Sequence, residues 1–358
     1  SFGVDVNVPE NELFDYNYGS IILETEADLS FENAQFLGTV TSGVDGNIRV
    51  NGKNVSMDAL VSSAFDRYEK VYPATSTPDM KRLDPKGTEG VKPFKAKKAD
   101  LKYKGEKIAE PLAFLPVFPG TNCDYDSAKA FRKAGAKVKF GVFRNLTEQD
   151  VNDSIEEMKC NIDECQILML CGGFSAGDEP DGSGKFIANG LNNEKIAAAI
   201  EALIARGGLI LGICNGFQAL VKSGLLPYGH LGCVTKDSPT LFRNDINRHI
   251  SQIAFTRVAS VNSPWLTGMT IGDTYGIPVS HGEGKFVVNE ELAKELFDNG
   301  QVAFRYAEPI DECVTMHSPY NPNGSYYAIE GIISKNGQIL GKMGHSERYE
   351  NNLFKNIA

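Results

Sequence analysis

From residue 112 onward, short apolar runs alternate with longer amphipathic stretches. Leu112 to Val117, Val138 to Phe143, Gln166 to Cys171 and Leu209 to Ile213 have the length and composition of buried strands. Between them, Tyr125 to Ala134, Glu148 to Met158 and Asn193 to Ala205 carry apolar residues at helical spacing. Gly135 closes the first of these helices and Gly207-Gly208 stops the third, because glycine accepts the backbone that follows a helix end. Strand–helix alternation predicts an α/β fold: a mostly parallel sheet flanked by helices on both faces. Sites in such folds collect at the carboxyl ends of strands, which here means Cys171-Gly172-Gly173 and Cys214.

The first 75 residues have a different texture. Ser20 to Thr25, Gln35 to Val40 and Asn47 to Val50 read as short strands, and Asn51-Gly52 as a hairpin turn that accepts positive φ. A helix is expected from Ser56 to Val71, with Leu60, Val61, Phe65 and Tyr68 on one face and Pro73 beyond its end. So small a segment is expected to struggle to bury a core of its own. Residues 76 to 110 are rich in Lys, Pro and Gly, lack a hydrophobic period, and read as a solvated linker. The predicted organisation is therefore a small α+β segment over 1–75, a linker over 76–110 and an α/β domain over 111–358.

Composition narrows the function. A formal net charge of −10 argues against nucleic acid or a membrane surface as partner. No apolar run approaches the ~18–20 residues that cross a bilayer, and no secretory leader is visible. Seven cysteines form no C-x-x-C pair, and an odd number cannot all pair, so reduced thiols in a cytoplasmic protein are expected. The chain starts at Ser1 rather than Met, as a processed or excised piece would.

The chemistry concentrates at Gly212-Ile-Cys-Asn-Gly-Phe-Gln218, where the Leu209 to Ile213 strand meets a helix expected from Phe217 to Lys222. Two glycines flank Cys214 at the spacing of a nucleophile elbow, a strained turn that tolerates only small neighbours. A helix start also favours thiolate. The plainer reading is a buried structural cysteine. A thiolate nucleophile needs a base, and the base needs an orienting carboxylate. Among five histidines, His345 has a carboxylate two residues on, Glu347, beside a strand-like run. In extended backbone the two side chains would share a face. His230, His249 and His317 have no such partner and are expected in surface or core roles. Asp181-Gly-Ser-Gly-Lys185 fails the phosphate-loop pattern, since Phe186 stands where Ser or Thr should hold magnesium. No His/Cys cluster has zinc spacing, so no metal is expected in the site.

Seven blocks in order carry a family resemblance. They are Pro119-Gly-Thr-Asn-Cys-Asp-Tyr-Asp126, Cys171-Gly-Gly-Phe-Ser-Ala-Gly-Asp178, Gly212 to Gln218, Leu241-Phe-Arg-Asn244, Ser280-His-Gly-Glu-Gly284, Asn321-Pro-Asn-Gly-Ser325 and Gly344-His-Ser-Glu-Arg348. Over these the chain resembles a class I (triad-type) glutamine amidotransferase, and more narrowly the glutaminase of phosphoribosylformylglycinamidine synthases. Two departures are Ser346, where the family commonly has proline, and Ala176, where it often has an aromatic residue. The resemblance implies a flavodoxin-like domain that hydrolyses L-glutamine with Cys214 as nucleophile, His345 as base and Glu347 as its orienting acid. It implies an oxyanion hole from the amides of Gly173 and Asn215, and glutamine binding by Gln218, His281 and Gly282. It further implies that residues 1–75 are the end of a synthetase part, which uses ATP and magnesium to convert formylglycinamide ribonucleotide to the amidine. No cofactor is expected in the glutaminase itself. Two other readings stay open: a Cys-type α/β-hydrolase, and a docking module that keeps the fold without activity.

Overall fold

The computed structural model describes residues 3–16, 18–26, 34–41, 48–69, 108–175, 184–310, 312–351 and 353. The chain divides into two compact units, Ser1–Ala74 and Thr75–Ala358. Residues 76–107 of the expected linker, and Ala176, Asp178 and Asp181, lie outside the described residues.

The first unit holds a four-stranded sheet in the order β2-β1-β3-β4. Its strands are β1 (Gly3–Val6), β2 (Gly38–Thr41), β3 (Ile48–Val50) and β4 (Lys53–Val55), followed by helix α1 (Met57–Glu69). Asn51-Gly52 forms the expected two-residue turn: Val50 pairs with Lys53, and φ is 50° at Asn51 and 76° at Gly52. The strand expected at Ser20 to Thr25 does not form, and Ile21, Ile22 and Leu23 are exposed without a partner strand among the described residues. Leu60 and Val61 of α1, expected on a buried face, are also exposed. The Phe65 and Tyr68 side chains and Val71 lie outside the described residues. Among the described residues of this unit only Gly3 is buried, as expected of a segment too small to enclose apolar surface.

The second unit is built on one nine-stranded sheet. In chain order its elements are β5 (Leu112–Val117), α2 (Asp124–Lys133), β6 (Lys137–Val142), α3 (Glu148–Glu164), β7 (Ile167–Leu170), α4 (Lys185–Leu191), α5 (Glu194–Ala205), β8 (Leu209–Ile213), α6 (Asn215–Ser223) and α7 (Leu225–Tyr228). Then come β9 (Thr240–Phe242), β10 (Ile250–Val258), β11 (Thr274–His281), β12 (Lys285–Val287), α8 (Glu290–Asp298), β13 (Val302–Ala307), β14 (Ile329–Ile333) and β15 (Ile339–Lys342). Strand order is β11-β10-β13-β14-β15-β8-β7-β5-β6, with β9 and β12 pairing separately. The α/β class read from the pattern holds, and the parallel strands are β15, β8, β7, β5 and β6. The remaining half is antiparallel, which makes the sheet mixed.

Connectivity creates a crevice. From β5 the chain steps to β6 on one side, then reverses through β7 and β8 on the other. Right-handed crossovers therefore put α2 on one face and α3 and α5 on the opposite face, where those two pack together. The reversal falls between β5 and β7, and the carboxyl ends of strands at such a switch point are where ligands sit. Among the described residues no helix is long and apolar enough to cross a membrane.

Candidate active site

β8 runs at the centre of the sheet, in register with β15 through Gly341↔Gly212 and with β7 through Leu170↔Gly212. Cys214 follows it immediately with φ 51° and ψ −106°, a conformation that L-residues rarely adopt. The turn then enters α6. Gly212 and Gly216 make this possible: a methyl on Gly212 would come 2.5 Å from Leu220 Cδ1, and one on Gly216 would overlap the Leu170 carbonyl. The Cys214 amide donates to the Lys342 carbonyl (2.9 Å), and its sulfur donates to the Ser280 carbonyl (3.7 Å).

His345 reaches this cysteine from the end of β15. Its amide donates to the Pro278 carbonyl (2.9 Å), and the preceding Gly344 amide donates to Glu330 Oε1 (2.6 Å). The ring is 2% exposed, lies 2.6 Å from Glu347 Oε1 through Nδ1, and is close enough to Cys214 for the thiol to influence its charge. With Nδ1 committed to the carboxylate, Nε2 is left for the sulfur. Burial opposes protonation of this ring, but hydrogen bonds to Cys123, Cys214 and Glu347 outweigh it and raise its pKa well above the ordinary range. Glu347 is reached differently from expectation. Ser346–Arg348 is a 3-10 turn rather than extended chain, and the turn swings the carboxylate back onto the ring.

The loop after β7 supplies the next wall. Asn122 and Cys123 donate their amides to the Gly172 carbonyl (3.2 Å each), and Phe174 donates to the Gly120 carbonyl (2.8 Å). At Gly173 φ is 153°, and a Cβ there would come 2.5 Å from the Gly120 oxygen. Ser175 donates its amide to Asn215 Oδ1 (3.3 Å), tying this loop to the start of α6. Asn215 is the first residue of α6, so its amide has no partner within the helix.

Gln218 and the loop at 280–284 form the third wall. Asn215 Nδ2 donates to Gln218 Oε1 (2.9 Å), and Gln218 Nε2 donates to the Glu283 carbonyl (2.6 Å). Both ends of the Gln218 amide are thus engaged, and contact with a ligand would have to exchange one of these bonds. Asn244 organises the loop. Its Oδ1 faces His281 Nδ1 (3.2 Å) and accepts from the Gly284 amide (3.0 Å), while its own amide donates to the Gly282 carbonyl (3.0 Å). Burial, then the nearby charges of His345 and His249, push the His281 pKa down to about 3, and its Nε2 has no partner among the described residues.

Several residues of the site carry no local sequence signal. A Cβ on Gly172 would come 2.7 Å from His345 Cε1, so this glycine makes room for the ring. Cys123 Sγ lies 3.8 Å from His345 Nδ1 and accepts from Arg348 Nη2 (3.1 Å). His249 is exposed, as expected, with Nε2 3.0 Å from Ser280 Oγ and its ring beside Phe174. His230 pairs with Glu201 on the surface and His317 is exposed, as expected. Cys123 and Arg348 both stand in motif blocks, but nothing in sequence spacing joins positions more than two hundred residues apart.

Comparison with known proteins adds a second line. Residues 110–358 match the family described as the CobB/CobQ-like glutamine amidotransferase domain. A phosphoribosylformylglycinamidine synthase subunit PurQ of Methanococcus maripaludis is 36% identical over 231 residues, covering 64% of this chain and 80% of its own. The same subunit of Aquifex aeolicus is 33% identical over 240 residues, covering 66% and 91%. Among solved structures, PurLQS from Thermotoga maritima aligns with a TM-score of 0.47 at 27% identity, over 67% of this chain and 89% of that one.

Proposed function

The chain belongs to the CobB/CobQ-like glutamine amidotransferase domain family, and from that premise we propose that it hydrolyses the side-chain amide of L-glutamine to supply ammonia. Cys214 Sγ attacks the carboxamide carbon as its proton passes to His345 Nε2. The tetrahedral oxyanion forms against the amides of Gly173 and Asn215, where one such donor contributes about 3 kcal/mol to the transition state. His345 returns the proton to the leaving nitrogen, ammonia departs, and a thioester remains on Cys214. A water molecule, deprotonated by His345, then attacks the thioester and releases glutamate. Glu347 holds the Nδ1 proton and stabilises the cationic ring throughout. Gln218, His281 and Gly282 are assigned to holding the substrate.

The observation that carries this reading is one imidazole bonded to Glu347 and close enough to Cys214 to be shifted by it, beside a strained elbow. The relatives are named as subunits of phosphoribosylformylglycinamidine synthase. The ammonia is accordingly assigned to the ATP-dependent conversion of formylglycinamide ribonucleotide to its amidine on a synthetase partner. ATP and magnesium belong to the site of that synthetase part, of which residues 1–75 are assigned as the end. The absence of disulfides among the seven cysteines fits a reducing cytoplasm.

Cys214→Ala tests the assignment in the assembled synthase. Glutamine-dependent amidine formation should fall by at least about 10³-fold, the scale of losing a nucleophile, while synthesis from added ammonium persists. Glutamine-dependent turnover that survives the substitution would place the nucleophile elsewhere.

A further inference from the structure

On the Nδ1 side of His345 lies a second thiol for which the proposed chemistry has no use. Cys123, at the N-terminal end of α2, is 1% exposed with its sulfur 3.8 Å from His345 Nδ1. Glu347 Oε1 is 2.6 Å from the same nitrogen, and the three ligand atoms of Cys123, His345 and Glu347 lie within 4.8 Å of one another. Sulfur, imidazole nitrogen and carboxylate oxygen are a donor set suited to four-coordinate zinc, with bonds of about 2.3, 2.0 and 2.1 Å. Tetrahedral bonds of those lengths separate the donors by roughly 3.3–3.7 Å. The Sγ–Nδ1 pair nearly meets this at 3.8 Å, the Nδ1–Oε1 pair must open from 2.6 Å, and the sulfur and carboxylate, within 4.8 Å, must settle at the same spacing.

A second observation points the same way. Glu347 Oε2 is buried without a hydrogen-bond partner among the described residues, on a side chain 3% exposed. A buried carboxylate oxygen left without a donor is costly, and a cation would satisfy it. A cavity of about 320 Å³, lined by Glu347 together with Asp126, Glu350, Lys129, Lys133 and Arg348, adjoins it.

We propose that Cys123, His345 and Glu347 form a binding site for a thiophilic divalent cation, zinc above all, and that filling it switches the glutaminase off. Binding releases the Cys123 thiol proton and the Nδ1 proton of His345. The sulfur passes from Arg348 to the cation, and Asp126, 3.9 Å from Arg348 Nε, receives the guanidinium. With Nδ1 and Glu347 both taken by the cation, the ring loses its orienting partner and no longer becomes the imidazolium that catalysis requires. The inhibitory half rests on the glutaminase reading; the binding half does not.

Cobalt(II) titration of the full chain tests the binding without turnover. Wild type and Cys214→Ala should both develop a thiolate-to-cobalt charge-transfer band with the intense visible bands of four-coordinate cobalt. Cys123→Ser should lose that band and bind zinc at least roughly 10–100-fold more weakly, the range that even outer-shell losses produce. Zinc should also inhibit ammonia release by wild type, reversibly with chelator, at concentrations that Cys123→Ser resists. A band that survives Cys123→Ser but vanishes in Cys214→Ala would overturn the proposal, since the metal would then bridge Cys214 and His345. Zinc binding without inhibition would overturn the switch. A chain inactive toward glutamine would fail the Cys214 test, and the cobalt titration would still decide the binding half by itself.

Discussion

His281 and His345 belong to one site, and their pKa values are shifted in opposite directions. His345 gains from hydrogen bonds to Cys123, Cys214 and Glu347 more than burial costs it. His281 is buried with only the neutral Asn244 amide at Nδ1, and its pKa falls from 6.5 to about 3. It therefore stays neutral, with Nε2 left as a buried acceptor. The linkage is directional. Below about pH 6.5 the unfolded chain protonates His281 while the folded chain refuses the proton until about pH 3. Stability must then fall with acidification through that window, by up to about 1.4 kcal/mol per pH unit from this group. His281→Gln removes the titration, so its denaturant midpoints at a series of pH values should show a shallower acid limb than wild type. Identical limbs would mean that the folded protein protonates His281 after all. At this scale Cys214, His345 and Glu347 were legible because elbow and His-x-Glu are local patterns. The contacts of Gly172 and Cys123 with the imidazole, and of Arg348 with Cys123, were not, because they join segments far apart along the chain.

At the scale of elements, local periodicity located strands better than helix ends. β8 was read residue for residue, and α5 with its Asn193 cap nearly so. α3 extends six residues beyond the expected Met158, because Ile162 continues the buried stripe and Lys159–Asp163 bridges the polar face. Its start was secured by the Thr147/Asp150 capping box. The strands of the antiparallel half left no clear pattern, since β10 and β11 are partly exposed and interrupted by polar residues. α6 sits where it does because Gly216 lets its first turn touch the Leu170 carbonyl at the end of β7. Gly216→Ala should push α6 off the sheet, costing about 1–3 kcal/mol in denaturant unfolding as overpacked sites do. The same shift moves Cys214 and Asn215 together, so glutaminase activity should fall further than the loss of stability explains. A variant with wild-type activity and midpoint would show that the contact between α6 and β7 is slack.

For the whole molecule, the decisive contrast is how the two units bury their apolar residues. In the second, Phe114, Leu168, Ile200, Phe217, Ile329 and Ile339 join one continuous core built on the nine-stranded sheet. In the first, Phe14, Tyr16, Ile21, Ile22 and Phe36 are all exposed, and Gly3 alone of the described residues is buried. The residues assigned to catalysis, substrate and cation all fall between 123 and 347. Folding cooperativity follows enclosed apolar surface, which rises with domain size and is marginal for the smaller unit. A chain of residues 108–358 should therefore unfold in a single transition and keep the cobalt signature. Residues 1–74 alone should show no cooperative transition and only shallow dependence on denaturant, since the slope scales with the surface exposed on unfolding. Calorimetry and urea titration of the two pieces decide it. A sharp transition in the short piece would mean that its exposed side chains find partners within residues 1–74. Aggregation of the long piece would mean that its core depends on residues before 108.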